Sequence, residues 1–142
     1  MVYTATVRSV LEYSSNVYHS QLNQHQINLL ERVQKRSLRV IYGYQHTYEH
    51  LLELSGLEKL ETRRQNAFEK FTNKTLKKPK YQSWFPLKTQ IREVRNIRPY
   101  IEENAISQRL YRSPLYAMRR YLNDHRPVEP NFDDLSGAFN KP

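Results

Sequence analysis

The sequence contains no cysteine. That absence excludes disulfide bridges, thiolate zinc sites and a cysteine nucleophile, and it fits a reducing compartment. Glycine is scarce too: Gly43, Gly56 and Gly137 are the only three, too few and too far apart for a phosphate-cradling loop. No apolar stretch approaches the roughly 18 residues that span a bilayer. The N-terminal Met1-Val2-Tyr3-Thr4-Ala5-Thr6-Val7-Arg8 has no basic lead followed by an apolar run. A soluble, non-secreted protein of the nucleus or cytoplasm, with no membrane partner, is the expectation. Asn73-Lys74-Thr75 matches a glycosylation sequon, but without a secretory leader the match is read as accidental. No order of Ser, His and Asp suggests a nucleophile elbow.

Acidic residues are also few. Against 23 Lys and Arg stand 14 Asp and Glu, a formal charge of +9. Glu129, Asp133 and Asp134 fall in the last 15 positions beside a single Lys141, so the body before them carries 22 bases against 11 acids, or +11. Such an excess argues for an acidic partner, most simply nucleic acid, and says nothing about fold. A length of 142 residues suits one domain with a modest core. The apolar residues crowd into roughly the first 85 positions, so the core is expected there.

What is present is helical periodicity. Tyr3, Val7, Val10, Ser14, Val17 and Tyr18 recur at helical spacing and predict a first helix up to about His19. Asn23 suits the N-cap of a second helix over 24–42, with a stripe of Ile27, Leu30, Gln34, Ser37, Leu38 and Ile41 and a stop at Gly43. A third, short helix is predicted between Thr47 and Gly56, with Leu51, Leu52 and Leu54 inward. The fourth, over 58–76, places Leu60, Arg64, Ala67, Phe68, Phe71 and Thr75 on one side and ends at Lys77-Lys78-Pro79, with Leu57 as a staple before it. Tyr81 to Pro86 reads as a packed aromatic loop with Trp84 as a core plug, and 87–99 as irregular. A last helix starts at Ser113 or Pro114 and carries Leu115, Met118, Tyr121 and Leu122. The fold class is therefore all-α: a bundle of about four helices, an irregular segment, a short C-terminal helix and a disordered tail. The corresponding divisions are 1–86, 87–127 and 128–142.

On the second helix Arg32, Lys35, Arg36 and Arg39 follow i, i+3, i+4, i+7 spacing opposite the apolar stripe. Like charges so placed repel by a few tenths of a kcal/mol per pair, and only Glu31 stands near to relieve them. A polyphosphate backbone is one use for such a face; a plain solvated surface is the other. On the fourth helix Lys59, Arg63, Lys70, Lys74 and Lys77 share a narrow sector, with Lys78 just beyond. Tyr42, Tyr44 and Tyr48 cluster between the two ridges, Tyr42 read as core and the other two as core fillers or as stacking platforms.

Two catalytic matches fail on their chemistry. His46-Thr47-Tyr48-Glu49-His50 has the form of the inverted zinc peptidases. That chemistry needs a downstream carboxylate and an enclosing chamber, and His46 precedes the helix. Asn131-Phe132-Asp133-Asp134 is similar to the aromatic and aspartate turn that holds metal in reverse transcriptases. Here the aromatic directly precedes the first aspartate, no third carboxylate accompanies it, and two-metal catalysis needs a rigid scaffold. No catalytic residue, metal or cofactor is assigned.

The blocks from Arg8 to His19 (RSVLEYSSNVYH) and Leu30 to Gly43 (LERVQKRSLRVIYG), then Leu54-Ser55-Gly56-Leu57-Glu58-Lys59-Leu60, Arg63-Arg64, Trp84-Phe85-Pro86-Leu87, Ser113-Pro114-Leu115-Tyr116 and Arg119 to Asn123, form an ordered pattern over roughly residues 7–123. It resembles the segment after the palm in reverse transcriptases of non-LTR (LINE-type) retrotransposons, with Tyr18 where that family commonly has tryptophan. The resemblance implies a thumb and post-thumb region, helical elements that hold a template-primer duplex. It makes Arg32, Lys35, Arg36 and Arg39 the leading backbone contacts, with Arg63 (and Arg64 beside it), Lys70, Lys74, Lys77 and Lys78 as further candidates. The expected partner is RNA or an RNA–DNA duplex. Without a palm the chain is expected to have no polymerase activity of its own. The alternatives are a protein-interaction module, whose exposed apolar face takes a protein or a second copy, and an inert remnant.

Overall fold

A computed structural model of the chain describes residues 2–88, 98–102 and 107–125. The described residues are helical, with no β-strand. A π-helical stretch, Thr4–Arg8, runs into α1 (Ser9–Glu12), then α2 (Ser15–Tyr18) and a 3₁₀ turn, His19–Gln21. After these come α3 (Gln24–Tyr42), α4 (Tyr48–Ser55), α5 (Leu60–Leu76), a 3₁₀ helix over Pro79–Trp84, α6 (Gln108–Tyr111) and α7 (Pro114–Asp124). The tail and its Phe132-Asp133-Asp134 lie outside the described residues.

The long helices form where their local signals say they should. Asn23 caps α3 through a capping box, its side chain accepting from the Gln26 N–H while the Gln26 side chain accepts from the Asn23 N–H. Gly43 ends α3 at φ +105°, a conformation that side chains rarely adopt. Thr47 caps α4, and Gly56 at φ +63° closes it, with the Leu57 N–H reaching back to the Leu52 carbonyl.

The N-terminal region departs from its prediction. The helix breaks at Tyr13 and Ser14, the latter left-handed at φ 51°, and the break shifts the register of the residues around it. Val10, expected inward, is 74% exposed and Val17 is also exposed, while Tyr3 and Ser15 take the buried positions. On α4 the inward stripe is Tyr48, Leu51, Leu52 and Ser55, at i, i+3, i+4, i+7, so Leu54 falls on the outer side at 48% exposure.

The core is not confined to the first 85 residues. Phe68 of α5 and Phe85 pack with Ala117, Met118 and Leu122 of α7 in one cluster, with Leu76, Tyr100, Leu115 and Tyr121 around it. Phe85 is the plug expected of Trp84. The tryptophan instead lies outside at 42% exposure, tilted against Tyr81 with ring centroids 4.6 Å apart. The expected irregular stretch begins and ends in an antiparallel bridge between Leu87 and Tyr100: the Lys88 N–H donates to the Pro99 carbonyl and the Ile101 N–H to the Pro86 carbonyl. Residues 89–97 between them lie outside the described set. Asn123 fastens this bridge to α7, accepting from the Tyr100 N–H and donating to the Tyr100 carbonyl.

Candidate nucleic-acid interface

The orientation of α3 is set by a buried polar network. Gln34, fully buried, accepts from the Tyr3 hydroxyl at 2.9 Å and donates to the Tyr48 hydroxyl at 3.1 Å and the Glu58 carbonyl at 3.0 Å. The Tyr48 hydroxyl in turn donates to one oxygen of Glu31 at 2.5 Å. The other Glu31 oxygen accepts from the Glu61 N–H at 2.8 Å, at the first turn of α5. Lys59, at the N-cap of α5, provides no side-chain cap. Glu31 therefore supplies from α3 both the acceptor and the negative charge that a helix N-terminus favours. Burial, foremost, pushes the Tyr3 hydroxyl up to about 12. It also pushes up Tyr48, whose bond to Glu31 adds to the effect.

This network engages the acid that adjoins the basic face in sequence. Glu31 is committed to Tyr48 and α5, and Arg32 and Arg36 stand exposed with no ion pair among the described residues. The other two cations of the row are drawn inward. Lys35 is half-buried with its Nζ 5.9 Å from the centre of the Tyr48 ring, and Arg39 is half-buried with its Nε unpartnered among the described residues.

On α5 the candidates divide as well. Arg63 makes a two-point ion pair with Glu12, Nε to Oε1 at 2.5 Å and Nη2 to Oε2 at 3.2 Å, joining α5 to α1. Glu12, foremost through that hydrogen bond, raises the Arg63 pKa further. Its guanidinium is thus occupied within the fold. Lys70, Lys74, Lys77 and Lys78 are all exposed, with no ion pair among the described residues, and the first three lie one turn apart over roughly 10 Å of helix. Arg64 is 1% exposed, and its three guanidinium nitrogens have no hydrogen-bond partner among the described residues. Of the tyrosines, Tyr48 belongs to the network, Tyr42 is half-buried and Tyr44 is exposed.

A second polar assembly, which the sequence did not single out, lies where the His19–Gln21 turn, α5, α6 and α7 meet. A cleft of about 360 Å³ opens there, lined by His19, Gln65, Tyr111, Arg120, Tyr121 and His125 among others. His46 and His50, the histidines of the peptidase-like motif, have ring centroids 5.0 Å apart, and Nδ1 of His50 lies 3.7 Å from Glu53. Among the described residues no group of three or more His, Cys, Asp or Glu could hold a metal.

Comparison with protein-family models, with curated proteins and with solved structures finds no match for this chain. Structurally it is a small, basic, all-α protein. None of its described helices is long and apolar enough to cross a membrane.

Proposed function

We propose that this chain is a non-catalytic, thumb-like module that binds the backbone of a nucleic-acid duplex through the outer face of α3, with the lysines of α5 adding to the attraction. The observation that carries this reading is the commitment of Glu31 to Tyr48 and the N-terminus of α5, which leaves Arg32 and Arg36 exposed and unneutralised among the described residues. The resemblance to the post-palm region of non-LTR reverse transcriptases supports it, and RNA or an RNA–DNA hybrid is the duplex it favours. Binding is directed at backbone and shape, since no base-reading arrangement is evident.

The test is a salt series with a labelled RNA–DNA duplex. With four of the six exposed candidate cations each neutralising a phosphate, the slope is near −3.6 in log K against log salt, so affinity should fall about a hundredfold between 50 and 200 mM salt. The double variant Arg32→Glu, Arg36→Glu should abolish binding without touching the half-buried Lys35 and Arg39. Binding that ignores salt, or that survives the double variant, defeats the proposal.

A second reading has its own observation. Leu29, Val33 and Val40, the last 69% exposed, form an aliphatic strip on α3 beside the arginines, and Val10 and Tyr13 are exposed on the N-terminal segment. Such surface suits a protein partner or self-association. Association of that kind persists at high salt, where phosphate binding is lost.

A further inference from the structure

The cleft between the His19–Gln21 turn, α5, α6 and α7 has a chemistry distinct from both the cationic face and the aliphatic strip. One wall is a chain of fixed hydrogen bonds. The Gln65 side-chain N–H donates to the Glu69 carboxylate at 2.7 Å, which turns the amide oxygen toward Nε2 of His19 at 2.8 Å. An amide oxygen can only accept, so His19 carries a proton on Nε2, and in the neutral ring Nδ1 keeps an acceptor lone pair. Burial, foremost, lowers the pKa of His19 and so favours the neutral ring, while the Gln65 hydrogen bond opposes it.

The remaining walls are aromatic and cationic. Tyr121 and His125 stack with centroids 4.6 Å apart at 24°, and Phe68 meets Tyr121 edge-on. The Arg120 guanidinium lies 4.1 Å from the centre of the Tyr111 ring. Arg120 is half-buried and makes no ion pair among the described residues. Held by the ring face, its N–H edge is left for an anion. Asp124, the acid of the cleft, is paired with Arg98 at 3.1 Å. Flat ring faces, a fixed neutral acceptor and an uncommitted guanidinium within about 360 Å³ match a planar heteroaromatic group that carries an anion. A bare phosphate would leave the rings unused, and an aliphatic ligand would leave His19 and Arg120 unpaired.

We propose that this cleft binds a nucleotide, with the base against the aromatic walls and the phosphate on Arg120. The nucleotide is either free or one unit of a single strand; the chemistry is the same. The site is separate from the duplex-binding surface. At about 100° per residue, Gln65 and Phe68 look out from α5 on the side roughly opposite the Lys70, Lys74 and Lys77 ridge. The proposal therefore does not rest on the duplex reading.

The experiment titrates the full chain with adenosine monophosphate, adenosine and inorganic phosphate, following the ring resonances of His19 and His125 by NMR. Saturable shifts are expected with the monophosphate, and binding of adenosine or phosphate alone should be at least about tenfold weaker. Arg120→Gln should weaken the monophosphate by about tenfold and leave adenosine unchanged, with Arg120→Lys in between. If Arg120→Gln does not fold, Arg120→Lys and the comparison of the three ligands on the unaltered protein still decide. A short oligoadenylate that binds more tightly than the monophosphate identifies the strand as the source, and equal or weaker binding identifies the free nucleotide. The Arg32→Glu, Arg36→Glu protein should keep monophosphate binding whatever becomes of the duplex. No shift at either histidine, equal affinity for the three ligands, or an indifferent Arg120→Gln overturns the assignment.

Discussion

Arg64 is buried without a partner among the described residues, and replacing it by methionine should make the protein more stable. It sits at 1% exposure with Nε and both terminal nitrogens unpartnered among the described residues. A guanidinium brings five N–H donors that water would otherwise satisfy, and removing a charged group from water without a counter-ion costs several kcal/mol even after relaxation. Methionine keeps an unbranched stem of similar reach and removes the charge. Replacements of buried ionic groups by packed apolar ones typically recover about 1 to 4 kcal/mol. For a chain of this size, at about 3 °C per kcal/mol, that corresponds to a rise of roughly 3 to 12 °C in melting temperature. Urea denaturation at pH 7 should show a higher midpoint with an unchanged slope. A second readout is independent of stability. Behind burial and against the Gln65 hydrogen bond, the Arg64 charge is one of the factors that depress His19, so in Arg64→Met the His19 titration should move up. A loss of more than about 1 kcal/mol in Arg64→Met would overturn this account. It would mean that the guanidinium is anchored by hydrogen bonds in solution, as a structural arginine on the apolar stripe of α5 would be.

The Gln34 network makes the opposite prediction. Gln34→Leu strands the buried Tyr3 hydroxyl, frees the part-buried Glu58 carbonyl and should cost about 2 kcal/mol by urea denaturation; a loss below about 1 kcal/mol would show that the network relaxes freely. Stability should also fall in mild acid through His19. Its folded pKa lies below the ordinary 6.5, so the unfolded chain takes the proton first, and the contribution present above pH 6.5 is lost as pH falls through the folded value. Midpoints measured between pH 7.5 and 5 should drop in the unaltered protein and drop less in His19→Gln; identical profiles would remove His19 as the cause.

The parts of this fold legible in the sequence are those whose causes lie within a few residues of their effects. Asn23 and Gln26 fix the start of α3, Gly43 its end, and Thr47 and Gly56 bracket α4, all at the predicted positions. The basic row on α3 comes from spacing alone. Legibility stops where a side chain chooses between distant partners. Whether Phe85 or Trp84 enters the core depends on α7, more than 25 residues further on, and nothing near either aromatic reveals it. The break at Ser14, which turns Val10 outward, carries no glycine or proline to mark it. The same limit governs the candidate site. A count of cations gives nine candidates, four of them leading. The fold commits Arg63 to Glu12, 51 residues away, lays Lys35 toward Tyr48 and draws Arg39 inward. It also sends Glu31 to the end of another helix, so the acid expected to relieve the row makes no ion pair with it among the described residues. What remains exposed, Arg32 and Arg36 with Lys70, Lys74, Lys77 and Lys78, is a smaller set with fewer internal partners. A surface evolved only for solubility would be expected to intersperse acids among such cations. The withdrawal of Glu31 from its neighbours is therefore the feature of this fold that most favours an external polyanion over a merely solvated face.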